Sequence, residues 1–314
     1  MISVVIPVRD GGERIRHCLE AIRAQRTVDE VEIVVVDSGS VDGTQSLARS
    51  LGARVHEIPP GRFNHGGARN LGAQLARGDI VVFTVDDASP VGPDWLARLT
   101  APLRRDGAVA GAYSRQIPYE DTPPYQRFYI DTRFGPTARV QRARDPSELS
   151  VDNVLFSNVA SAIRRPVLES HPFATDIVIA EDLEWCARVL LAGHAVVYVP
   201  EAVVRHSHRY TLADAFRRYF DQGAAARRIY MARGRSSPRA VRGEGLAFVR
   251  RELGWLWQTG ERLSIPAALA HEAARFLGFQ VGAHYRAVPS PLRPRLSRTP
   301  VYWTQSGDEG GSTD

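Results

Sequence analysis

The first hundred residues alternate short β-branched runs with helix-period segments, and this alternation restricts the fold more than any other feature of the chain. Ile2–Pro7, Glu32–Val36, Arg54–Glu57 and Ile80–Val85 read as strands, separated by helical patterns over Glu13–Gln25, Thr44–Leu51 and Gly67–Ala76. A βαβαβαβ series of this kind folds as an α/β domain, an open and mostly parallel twisted sheet with helices on both faces. Such sheets bind ligands beyond the carboxyl ends of their strands. Arg9 and Asp10 follow the first strand, Asp37, Ser38, Gly39 and Ser40 the second, and Asp86 and Asp87 the fourth. Three acidic clusters at one sheet end repel unless a cation or hydrogen-bond donors lie among them. Between the last two runs GRFNHGGARN, residues 61–70, leads into a helix N-terminus. There unpaired N–H groups and the helix dipole favour an anion. The combination suits a nucleotide with a metal-bridged diphosphate.

Every one of the 40 basic side chains among the 314 residues is an arginine, giving a net charge of +5. That points to an anionic partner: a diphosphate, a lipid headgroup or a membrane surface. A GC-rich gene enriches arginine equally, and nothing in the charge pattern calls for nucleic acid. Cys18 and Cys186 each lie inside a predicted helix without a CxxC pair, so buried thiols and a reducing compartment are expected. The chain opens directly on a strand, without a signal-like segment, and no apolar run approaches the roughly 18 residues of a spanning helix. A cytoplasmic protein, or one peripheral on the inner face of the membrane, is the expectation.

Beyond Pro118 the pattern loosens as far as Ser150, which reads as a mobile loop or lid. Order returns with LFSNVASAIRR, an amphipathic helix opening on Glu181 and Asp182, and the strand AVVYVP. From Leu212 the pattern is helical, broken at Gly234–Pro238 and resumed over Leu246–Tyr285. The expected division is a catalytic domain over 1–211, a helical region over 212–302 and a disordered tail over 303–314. In FVRRELGWLWQ, Phe248, Leu253, Trp255 and Trp257 adjoin Arg250 and Arg251. That composition suits an anionic membrane, but core packing explains it too and is the preferred reading.

The segments SVVIPVRDGG, VEIVVVDSGSVDGT, GGARNLGA, FTVDDASP and AEDLEWCARVLLAGHAVVYVPEAVVRHSH, in this order, resemble a family 2 glycosyltransferase of the GT-A fold. The resemblance spans roughly residues 1–210. FNHGGARNLGA, SNVASAIRR, HSHRYTLADAFRRYFDQG and the closing GFQVGAHYRAVPSPLRPRLSRTPVYW are most similar to its rhamnosyltransferase-like branch, which extends the likeness to nearly the whole chain.

The resemblance implies that Asp37, with Ser38, binds the donor nucleotide over a floor made by Pro7 and Arg9. The bland alternative is that Asp37 caps its own turn. The family's Asp-x-Asp metal motif falls on Val85, Asp86 and Asp87, so its first aspartate is absent here. The metal role is carried to Asp87, with Asp86 as helper to the donor, and His206 would complete the shell of Mg²⁺ or Mn²⁺. Asp182 takes the place of the family's catalytic base, while Glu181 satisfies the helix dipole. Arg69 is expected to stabilise the leaving diphosphate, with Asn158 and His208 supporting the acceptor side. The function so implied is inverting transfer of a sugar, with L-rhamnose from dTDP-rhamnose the best match. The acceptor is a hydroxyl on a glycan or lipid-linked acceptor in cell-surface polysaccharide synthesis. A UDP- or GDP-sugar donor, or a degenerate binding protein, is the alternative. A dinucleotide oxidoreductase lacks its GxGxxG here, and a nucleotidyltransferase lacks its lysine.

Overall fold

The computed structural model describes residues 1–150, 153–226, 229 and 238–305. The chain divides into two compact units. Met1–Tyr119, Ile130–Thr175 and Glu181–Ser207 form the first, and Glu120–Tyr129, Asp176–Ala180 and the described residues from His208 onward form the second.

In the first unit the strands β1 (Ile2–Val8), β2 (Val31–Asp37), β3 (Arg54–Glu57) and β4 (Ile80–Thr84) alternate with the helices α1 (Gly12–Arg23), α2 (Thr44–Ser50) and α3 (His65–Leu75). Each matches its expected segment to within two residues. There follow β5 (Ser89–Pro90), α4 (Trp95–Arg105), β6 (Val109–Ile117), α5 (Pro124–Arg133), β7 (Arg139–Gln141), β8 (Ala160–Arg164), α6 (Arg165–Ser170), α7 (Glu181–Leu191) and β9 (Ala195–Arg205). One sheet joins all the strands in the order β3-β2-β1-β4-β8-β6-β9-β5, with β7 beside β9. It is parallel from β3 to β4 and mixed beyond, where β8 runs antiparallel to both β4 and β6.

The two-residue period of β1 places a different helix layer on each face. Ile2, Val4, Ile6 and Val8 share a buried cluster with Ile15, Leu19 and Ile22 of α1 and Trp95, Leu96, Leu99 and Leu103 of α4. Burying the three aliphatic side chains of α1 contributes roughly 5–9 kcal/mol before chain entropy is subtracted. Val5, on the opposite face, meets α3 at Gly72, where a Cβ would overlap the valine side chain. The segment after Pro118, read from sequence as a loop, contains α5 and the short strand β7. Pro124 opens α5, the position where proline's fixed φ and missing N–H suit a helix. Cys18 and Cys186 are buried and free, and burial pushes both thiols up.

The second unit is helical: α8 (Leu212–Ala226), α9 (Pro238–Gln258), α10 (Ile265–Ala283), α11 (Arg293–Leu296) and α12 (Pro300–Gln305). α8 and α10 touch backbone to backbone: a Cβ on Gly278 or Gly282 would strike the carbonyls of Phe216 or Phe220. Phe248 of α9 packs against Phe128 and Tyr129, and Trp255 against Phe128. Both are half-buried and pack within the second unit, whereas Trp257 is 57% exposed. No described helix is long and apolar enough to cross a membrane. The helix break expected at Gly234–Pro238 falls, apart from Pro238, outside the described residues; of the tail expected over 303–314, residues 303–305 are instead helical, with Trp303 buried against Phe220 and Tyr285, and the rest lies outside the described residues.

Candidate active site

Parallel strands β1, β2 and β4 end on one edge of the sheet, and the loops leaving them are fastened together. Asp10 adopts a left-handed backbone (φ 48°), which aspartate tolerates better than most residues. Its N–H donates to Ser40 Oγ at 2.8 Å, and its Oδ1 accepts from the Val41 N–H at 2.9 Å. Arg14, one turn into α1, donates to the Asp10 carbonyl at 2.9 Å and to Asp86 Oδ2 at 3.0 Å. This tie brings the first acidic cluster to the third. Burial and the neighbouring Asp87 raise the Asp86 carboxyl above its ordinary range, against the opposing pull of Arg14.

Asp37 ends β2 and is fully buried. Its Oδ2 accepts from the N–H groups of Gly39 and Ser40 at 3.0 Å and from Gln45 Nε2 at 2.8 Å, and its Oδ1 accepts from the Ser40 hydroxyl. These bonds cap the turn after β2, and they leave a donor contact open, since each carboxylate oxygen can accept two hydrogen bonds and Oδ1 carries the Ser40 hydroxyl. Ser38 donates through both N–H and Oγ to the last carbonyl of β1. Pro7 is half-buried within β1, and Arg9, 61% exposed, lies 3.7 Å from Asp10.

The α3 N-terminus is capped by Asn64, whose side chain accepts from the Gly67 N–H at 2.9 Å. Arg69 does not face solvent as a diphosphate ligand would. It is buried with Glu181, its Nη1 2.9 Å from Glu181 Oε1, and also donates to the His65 carbonyl at 3.1 Å. Glu181 is thus an ion-pair partner more than a helix-dipole filler: although burial opposes ionisation, Arg69 holds its carboxyl below the ordinary range. Next to it Asp182 accepts from the Asn158 N–H at 3.2 Å and from the Leu183 N–H at 2.8 Å. Burial first, and Glu181 second, push the Asp182 carboxyl up to about 6. Asn158 is itself buried, with its amide 3.4 Å from Glu181 and its oxygen accepting from Ser161. It supports both acids from beneath. Ala180, just before α7, has φ 66°, a conformation that costs a non-glycine residue about 1–2 kcal/mol and marks functional turns.

Register brings these acids to the same sheet end as Asp87. Thr84 pairs with Ala160 across β4 and β8, so the chain leaving β4 and the chain entering β8 coincide. Asp87 Oδ1 lies 3.7 Å from Nε2 of the buried His206. His206 Nδ1 is 3.0 Å from Gln116 Oε1, and Gln116 donates in turn to Ser157 Oγ at 2.9 Å. A proton held on Nδ1 by the Gln116 oxygen leaves the Nε2 lone pair directed toward Asp87.

Residues 3–171 match the family model described as Glycosyl transferase family 2. The chain belongs to that family. It is 33% identical over 311 residues to the O-antigen chain rhamnosyltransferase RfbN of Salmonella typhimurium, covering 96% of both chains. The O-antigen chain rhamnosyltransferase WbaN of Salmonella anatum is 32% identical, over 96% of this chain and 95% of its own. Among solved structures, the mannosyltransferase PcManGT from Pyrobaculum calidifontis, in complex with GDP-Man and Mn²⁺, superposes with a TM-score of 0.58. The match covers 98% of this chain and 85% of that one at 22% identity, a likeness of fold.

In this family 2 glycosyltransferase, Asp87 and His206 offer a carboxylate oxygen and an imidazole nitrogen close enough to share one ion. Their 3.7 Å separation is about that of two ligands each ~2.1 Å from a cation, so the donor set fits a divalent metal. His208 begins the second unit, its ring 5.3 Å from that of Tyr210. Sequence reasoning missed Arg14, Gln116 and Tyr119, whose hydroxyl donates to the Asp87 carbonyl at 3.2 Å. A signal existed for Arg14, a cation one helical turn after a strand-end aspartate. Gln116 and Tyr119 belong to no motif.

Proposed function

We propose that this glycosyltransferase moves L-rhamnose from dTDP-rhamnose, with inversion at C1, to a hydroxyl of a glycan or lipid-linked acceptor in cell-surface polysaccharide synthesis. The observation that carries the sugar is the likeness to two O-antigen chain rhamnosyltransferases over 96% of the chain. The mechanism rests on Asp182. Its carboxyl, raised to about 6, is ionised at neutral pH yet basic enough to take a hydroxyl proton as the acceptor oxygen attacks C1. The C1–O bond to the diphosphate breaks as the new bond forms, and a single displacement inverts the anomeric centre. Asp87 and His206 would hold Mn²⁺ or Mg²⁺, with the imidazole favouring Mn²⁺. When bound, that ion supplies positive charge for the diphosphate that leaves. With Arg69 committed to Glu181, Arg9 is the exposed cation of the loop after β1 suited to the donor.

Calorimetric titration with dTDP-rhamnose, UDP-glucose and GDP-mannose in the presence of Mn²⁺ tests the donor. The expected result is a preference of at least tenfold for dTDP-rhamnose. Tighter binding of either other donor overturns the sugar while leaving the mechanism standing.

A further inference from the structure

The second unit has a surface that the transfer reaction does not use. On α10 the buried positions Ala268, His271, Arg275, Gly278 and Gly282 recur at three- and four-residue steps and form the covered stripe, packed on Tyr125 at its start and on α8 from Arg275 onward. Half a turn away lie Pro266, Leu269, Ala273, Phe276 and Leu277, every one exposed. Phe276 is 50% exposed, Leu277 55%, and Leu263, just before the helix, 98%. The two acidic or basic residues of α10, Glu272 and Arg275, are both off this face and paired with each other. A solvated helix of a soluble domain ordinarily carries charge on its outer face. The outer face of this one carries none, and its charged pair Glu272–Arg275 lies off that face.

Charge around the stripe selects what covers it. Residues 245–305 contain eight arginines and three glutamates, a surplus equal to the +5 of the whole chain. Of those glutamates, Glu252 is buried and Glu272 is paired. Exposed Arg262 and Arg286 stand beyond the two ends of α10, and Arg250 and Arg251 are exposed on α9. Arg262 stacks at 4.0 Å over Trp257, an aromatic side chain of the kind that settles at membrane interfaces.

We propose that the outer face of α10, with Trp257 and Leu263, docks flat on an anionic lipid bilayer. Leu263, Phe276 and Leu277 enter the headgroup–acyl boundary while the flanking arginines meet lipid phosphates. A second copy of the chain is the poorer occupant, because a twofold contact on this face would bring like-charged arginine clusters together. The helix lies on the membrane and does not span it, in keeping with the finding that no described helix is long and apolar enough to cross.

Co-flotation of the full chain with phosphatidylcholine vesicles, with and without 30% phosphatidylglycerol, provides the test. Binding is expected only to the anionic vesicles, weakened by salt. Phe276→Gln with Leu277→Gln should reduce it at least tenfold, and Arg250→Gln with Arg251→Gln roughly fivefold per arginine. Thermal melts that coincide with wild type keep loss of folding apart from loss of binding. Equal binding to neutral vesicles, no binding to either, or undiminished binding by the Phe276/Leu277 variant overturns the proposal. So does a dimer in light scattering that Phe276→Gln dissociates.

Discussion

If Asp182 is the base, the acid limb of kcat/KM must follow its raised pKa. At pH 5 a carboxyl titrating at about 6 is about 9% ionised, whereas one near 3.8 would be about 94% ionised. A rate that depends on the free carboxylate therefore falls about tenfold per pH unit below 6. Two causes set the position, burial and then the Glu181 charge, and the second can be removed. Glu181→Gln deletes a neighbouring anion and leaves Arg69, which acts in the opposite direction, so the limb should move to lower pH. The substitution strands a buried guanidinium at a cost of about 3–5 kcal/mol. Arg69→Met with Glu181→Leu is the companion variant, since an apolar pair in place of a buried ion pair is often neutral. It too should shift the limb downward, because Glu181 outweighs Arg69 at Asp182. The assay is initial-rate kinetics at subsaturating donor from pH 4.5 to 8. A wild-type limb near pH 4, or a limb that neither variant moves, would refute Asp182 as the titrating base, as would full activity in Asp182→Asn.

Gln116→Leu removes the oxygen that orients His206, and Mn²⁺ affinity measured by electron paramagnetic resonance should fall roughly tenfold or more; a change below threefold would deny Gln116 that role. Burial raises Glu252 to about 7, well above its unfolded value, so its ionisation costs stability progressively from about pH 4.5 to 7. Glu252→Gln should accordingly stabilise the second unit by about 2–3 kcal/mol at pH 8 and by nothing at pH 4.5, and equal melting shifts at both pH values would contradict the sign. Gly282→Ala places a methyl group against the Phe220 carbonyl and should destabilise by about 3 kcal/mol in a thermal melt, whereas a neutral effect would deny the close approach of α8 and α10.

The strands and helices of the first hundred residues were legible because each apolar run has one period and ends on a turn residue. Proline after proline at Pro123–Pro124 misled, since the same residue that breaks a helix also begins one. Asp182, Asp87 and His206 stood out through motif and resemblance. For Arg69 the sequence displays a cation near a helix N-terminus, which points to the diphosphate, but not the burial that pairs it with Glu181, 112 residues away. Gln116 lies 90 residues from His206, a separation no local pattern bridges. On α10 the apolar composition was visible, and only packing against α8 could tell the covered stripe from the uncovered one.

One arrangement occurs twice in the active site. Asp86–Asp87 and Glu181–Asp182 are neighbouring acids, each at the start of a turn or helix where chain geometry forces two carboxyls together. In each pair an arginine from an earlier helix binds the first member, Arg14 at 3.0 Å on Asp86 and Arg69 at 2.9 Å on Glu181. The second member is the proposed metal ligand Asp87, which faces His206, or the proposed base Asp182 with its raised carboxyl. Adjacent carboxylates without a cation would drive one of the two to protonate. Burial and Asp87 keep the Asp86 carboxyl above its ordinary range against the pull of Arg14, whereas Arg69 holds Glu181 below it. The Glu181 charge then tunes its neighbour, raising the basicity of Asp182. If Asp182 is the base, Arg69 acts on the reaction through the acid it holds and through its own pull on Asp182, and replacing it should raise the Asp182 carboxyl further before it alters any contact with substrate.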